Sequence, residues 1–188
     1  MTAMFGRANK VSRLLIAALI TLPIIGQPTQ KAWPEEPDGF KGVKFGSSVA
    51  EARSVLEFSQ CFRADEQKPT TCPLTVDTGE FEMNVFLLFV DDKLVTVVGG
   101  FPSKNYSGAR GIFVEKYGAP HESLKEVVQN GMGAKFDREQ LTWVGKNSRV
   151  SLSQYGEKIS EGVFMVSLAN PPDPAKQIRD AQKKKALN

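Results

Sequence analysis

The chain has 188 residues, 41% of them hydrophobic, 24% charged and 9% aromatic, with 16 glycines, 11 prolines, two cysteines, one histidine and a formal charge of +3. That length fits one domain with a true core, and the composition excludes collagen-like, wholly disordered and disulfide-scaffold proteins. A single histidine rules out multi-histidine metal sites.

Residues 1–26 read as a secretory signal peptide. Arg7, Lys10 and Arg13 form a basic start with no acidic residue, and residues 14–25 (LLIAALITLPII) supply the apolar stretch. The run is short of the roughly 20 apolar residues a membrane-spanning helix needs, and Pro23 interrupts it. No A-x-A triplet occurs; Gly26 is the best cleavage point and Ala32 the next, with an uncleaved anchor as the alternative. No cysteine follows the apolar run closely enough for lipid attachment. Losing three of 24 basic residues leaves 21 against 21 acidic ones, so the +3 belongs to the export signal.

Export also decides how the cysteines read. In an oxidising compartment Cys61 and Cys72 should pair, closing a short loop that contributes on the order of 3 kcal/mol. The ten residues between them, with Pro69, suit a staple better than a C-x-x-C redox pair.

Residues 27–39 (QPTQKAWPEEPDG) form an extended lead-in that Trp33 could pin to the body. Residues 40–170 form a single α+β domain. Phe40, Val43 and Phe45 space a short strand or loop closed by Gly46. Residues 47–58 form a helix: Ser48 and Glu51 have capping-box spacing, and Val49, Ala52, Val55 and Leu56 make one apolar stripe. After the cysteine loop, residues 81–90 and 94–98 form a hairpin around Asp91-Asp92-Lys93, which Gly99-Gly100 and Pro102 end. A second helix carries Ala109, Ile112, Phe113 and Tyr117 on one face and stops at Gly118 and Pro120. Strands follow at residues 135–144, 149–155 and 163–169, parted by glycine-containing turns.

The order is thus helix then strands, twice, in units of about 43–102 and 105–169. Two αβββ-like units would share one antiparallel sheet with both helices packed on one face. Residues 171–188 make a basic tail or helix. From Ala175 onward the chain carries +4, which leaves −4 on residues 27–174. Lys183, Lys184 and Lys185 could touch an anionic surface weakly.

Chemistry is sparse. His121 is the one histidine base available and follows Ala119-Pro120 in an expected loop. Glu35-Glu36 and Asp91-Asp92 are adjacent carboxylates, which suit a solvated linker and a turn better than general acid–base work. No G-x-S-x-G, P-loop, dinucleotide fingerprint or EF-hand occurs, so no cofactor or metal is expected. Basic and acidic residues alternate without an aromatic-laced basic patch, so no nucleic-acid partner is expected either. Phe101, past the glycine pair, and Trp143, near a strand end, are the candidate binding anchors.

Gly46-Ser47-Ser48-Val49-Ala50-Glu51-Ala52 opening one helix and Tyr117-Gly118-Ala119-Pro120 closing another resemble small exported bacterial modules. These are the BamE/SmpA-type outer-membrane assembly proteins and the tandem-repeat β-lactamase inhibitory proteins, and the resemblance covers residues 43–169. It implies a non-catalytic module that binds another envelope or secreted protein through a sheet face or loops. One alternative is an inhibitor of a periplasmic or secreted hydrolase, with Phe101 on its loop. Another is a small hydrolase using His121 or a carboxylate.

Overall fold

The computed structural model describes residue 33 and residues 35–65, 68–129 and 131–172. The expected signal peptide and Lys183, Lys184 and Lys185 lie outside the described residues. The fold is α+β and mostly sheet. A two-stranded ribbon, β1 (Gly39–Phe40) and β2 (Val43–Lys44), precedes helix α1 (Val49–Val55) and strands β3 (Thr70–Asp77), β4 (Glu82–Val90) and β5 (Lys93–Pro102). Helix α2 (Tyr106–Tyr117) then leads into β6 (Glu122–Gln129), β7 (Lys135–Val144), β8 (Ser148–Ser153) and β9 (Glu161–Leu168). The seven long strands form one sheet in the order β3-β4-β5-β9-β8-β7-β6, every neighbouring pair antiparallel.

Helix α1 starts as its sequence dictates. Ser48 accepts from the Glu51 N–H and the Glu51 carboxylate accepts from the Ser48 N–H, closing both halves of the capping box. It ends at Val55, three residues before the expected Phe58. Arg53 turns back to donate to the carbonyls of Phe58 and Ser59, which holds that stretch extended instead of helical. Asp92 accepts from the Val49 N–H, tying the helix start to the β4–β5 turn.

Two strands were not expected. β3 lies in the cysteine segment and contains Pro73, which an edge strand tolerates because its nitrogen lies on the side away from β4, where the strand meets the isolated Phe62–Thr71 bridge instead of another strand. β6, the other edge, mixes polar residues with Leu124 and Val127 exposed on opposite faces, so it carries no alternation to read. The second half therefore has four strands where three were expected.

The glycine pair does not end the sheet. β5 runs through Gly99 and Gly100 to Pro102, because Gly99 faces Phe164 and Phe101 faces Gly162 across the β5–β9 ladder. Each aromatic ring lies over the opposite glycine, filling the space its missing side chain leaves. This reciprocal pair sits at the junction of the two halves of the sheet.

One face of the sheet is covered. Its inner rows run Leu74, Val85, Gly99, Phe164, Leu152, Leu141 and Cys72, Leu87, Val97, Val166, Val150, Trp143. Ala52 of α1 and Tyr106, Ala109, Phe113 and Tyr117 of α2 join them in one apolar cluster. Ile112, expected on the buried stripe, is 37% exposed, and Tyr106 takes its place. Cys61 and Cys72 form a disulfide that anchors the loop after α1 to the edge strand. No helix among the described residues is long and apolar enough to cross a membrane.

Candidate functional site

The sequence-based candidates are mostly structural. Phe101 and Trp143, candidate anchors if exposed and core residues otherwise, are 3% and 0% exposed. Phe101 is buried because β5 continues past the glycines and turns its ring onto Gly162 and Phe81. Trp143 sits mid-row under α2, where its indole N–H donates to the Gly118 carbonyl at 3.0 Å. Neither side chain meets solvent as an anchor would.

His121 accepts from the Val144 N–H through Nδ1 at 2.8 Å, and Trp33 stands edge-on to its ring. Trp33 also donates to the Val144 carbonyl, so it pins the lead-in to the body as expected. The imidazole thus helps hold the lead-in against the end of β7.

Each carboxylate pair lends one member to a turn. Glu36 accepts from the N–H groups of Asn147 and Ser148 and from the Ser148 hydroxyl, capping the β7–β8 turn from over a hundred residues away. Partial burial acts to raise its pKa, but these hydrogen bonds together outweigh it and leave the pKa lowered. A lowered folded-state pKa means the stabilisation is complete above about pH 4.5 and is lost as pH falls through the folded value. Glu36→Gln should therefore destabilise the protein at neutral pH, with the gap from the natural chain closing in acid. Urea unfolding at neutral and strongly acidic pH checks this.

Glu139 on β7 accepts from the Tyr106 hydroxyl at 2.8 Å and from Arg110 at 3.2 Å, a contact that docks the start of α2. Burial and this carboxylate hold the Tyr106 phenol well above its ordinary pKa. Among the described residues, no group of three or more potential metal ligands gathers.

What the sequence does not announce is the other face of the sheet, which no described element covers. One row crosses it as Pro73, Phe86, Val98, Met165, Ser151 and Thr142, from β3 to β7. The next runs Asn84, Gly100, Val163, Ser153 and Gln140. Between β3 and β7 neither row holds a charged residue, although 24% of the chain is charged; Glu122 of β6 continues the first row past Thr142, and Arg149 stands in the row on its other side. A sheet face that only meets water ordinarily alternates polar, often charged, side chains outward.

This face is concave. A hollow of about 710 Å3 lies across β4, β5, β9, β8 and β7, with Phe86 on one side and Tyr155 on the other. Five strands at 4.7–4.9 Å spacing make it about 20 Å wide. Gly100 leaves a gap in its floor: a β-carbon there would meet nothing nearer than the Gly162 carbonyl oxygen at 3.8 Å. Tyr155 is braced edge-on by Phe136, and charge appears only toward the rim, at Arg138, Glu157 and Glu161. Arg138 is paired with Glu126. Phe86, at 38% exposure, is the largest apolar side chain presented.

Comparison with protein-family models, curated proteins and solved structures finds no match to this chain. The function has to come from the geometry. The signal for this site in the sequence is a set of single apolar residues on outward strand positions, visible only once five strands are in register.

Proposed function

We propose that the protein is an exported, non-enzymatic binding module whose uncovered sheet face receives another envelope or secreted protein. The uncharged concave surface carries this reading. Its breadth and openness suit a convex apolar segment of a folded partner better than a small enclosed molecule, and its charged rim matches the polar border of protein interfaces. Export is supported by the basic-then-apolar start of the sequence and by the Cys61–Cys72 disulfide.

The two halves extend the same reading of the fold. α1 with β3, β4 and β5, and α2 with β7, β8 and β9, are two αβββ-like units joined last strand to last strand, with β6 added at the edge. Their helices pack on the inner side and leave the outer side free along its whole width. Phe101 is buried and supplies no exposed aromatic loop, and His121 Nδ1 is engaged by the Val144 N–H, which favours the binding reading over an inhibitor built on Phe101 or a hydrolase built on His121.

Gly100→Val tests the proposal because it fills the hollow where the fold leaves room. Affinity for a partner isolated with the natural chain should fall about tenfold or more, the loss of a packed anchor at an interface centre, with thermal stability unchanged or raised. Unaltered affinity in both Gly100→Val and Phe86→Glu would remove the outer face as the binding site.

A further inference from the structure

A second cleft lies on the opposite, covered side, independent of the outer face. The β1–β2 ribbon and α2 cover different parts of the inner face, and the seam between them stays open as a cleft of about 310 Å3. Phe40, Val76, Met83, Ile112, Phe113 and Val166 line it. That volume is within the range of small-molecule sites, which are mostly apolar with a few placed polar groups.

The polar groups here include two lysines, Lys41 from the ribbon turn and Lys116 from the last turn of α2. Neither makes an ion pair with a described residue. Lys116 is exposed, with its Nζ 5.3 Å from the centre of the Tyr117 ring; desolvation at the cleft edge still lowers its pKa, the nearby Lys41 charge lowers it further, and Glu35 partly offsets the effect. Two cations thus face one apolar cleft at mutual cost, which a bound anion would relieve. Asp77 and Thr78 also line the cleft but are occupied in the β3–β4 turn, accepting from Gly79 and donating to Phe81.

The backbone adds an independent observation. Lys41 has φ +48° and is followed by Gly42 at +87°, so it occupies a left-handed position in a two-residue hairpin turn. Asn, Asp or Gly fills such a position at less cost, and a lysine there points to a role beyond making the turn.

We propose that this seam binds a single-chain anionic amphiphile of the fatty-acid class, its alkyl chain lying along the apolar floor and its carboxylate between Lys41 and Lys116. The site reads the ligand in two parts. Chain length is limited by the cleft, and head-group sign is set by the lysine pair. Ile112, exposed on the outer side of α2, forms an apolar lip.

Calorimetric titration of the full chain with dodecanoate, dodecanol and dodecyltrimethylammonium tests this, with phosphatidylglycerol vesicles as a further arm. Saturable one-to-one binding of dodecanoate is expected, with the cationic amphiphile at least about tenfold weaker, the scale of a lost charge-assisted contact. Lys41→Asn keeps a residue suited to the turn and should melt no lower than the natural chain; combined with Lys116→Gln it should weaken dodecanoate by a similar factor. Gly100→Val should bind dodecanoate normally, which separates this site from the outer face. Equal affinity for both amphiphile charges, indifference to the double substitution, no binding, or binding to vesicles alone would each overturn the proposal.

Discussion

Gly99→Ala should destabilise the protein by about 1–3 kcal/mol, the range for forcing extra volume into a packed core. Gly100→Ala, one residue further along the same strand, should be neutral or stabilising by about 0.5 kcal/mol. The difference comes from the faces. A β-carbon on Gly99 would run into the Phe164 ring, while one on Gly100 enters the open hollow. Phe164 cannot yield cheaply, being 1% exposed and packed against Phe113 at 5.3 Å and Phe40 at 6.3 Å between ring centres. Urea midpoints of the two single variants measure the contrast, and equal midpoints would mean that the β5–β9 register is wrong.

Trp143→Ala should cost about 3–5 kcal/mol, the usual range for deleting a buried large aromatic. The indole is fully buried and touches both Phe113 and Tyr117, with ring centres 6.3 and 6.1 Å away. Burial here also pushes the Tyr117 phenol up to about 12. Trp143→Phe should lose less, since a ring remains, yet it leaves the Gly118 carbonyl without the indole donor at the end of α2. Denaturant unfolding of both variants should therefore rank the natural chain first, Trp143→Phe second and Trp143→Ala last. A Trp143→Ala protein as stable as the natural one would contradict the packing of α2 on the sheet.

Local signals in the sequence carried over well where one residue type has one physical use. The Ser48–Glu51 spacing produced a capped helix, Gly118 ended α2 at φ +76°, and the expected strands at residues 81–90 and 135–144 became β4 and β7. Tertiary context decided the rest. Gly99-Gly100 resembles a strand terminator until Phe164 is placed across from it. Phe101 then looks like a loop residue, though it covers Gly162. β3 and β6 are edge strands, so Pro73 and a largely exposed strand without alternation are allowed where an inner strand would forbid them. The outer hollow could not be seen along the chain, because Phe86, Val98 and Met165 are separated in sequence and meet only through strand register.

The central claim concerns that hollow, and a photo-reactive phenylalanine analogue at position 86 addresses it most directly. In living cells that make the full chain, irradiation should yield one discrete protein adduct from position 86, and none from a control probe at Glu115, an exposed helix position. Adding Gly100→Val should abolish the adduct while leaving the melting temperature unchanged or higher. An adduct that persists with Gly100→Val, or equal adducts from positions 86 and 115, would contradict a binding role for the uncovered sheet face.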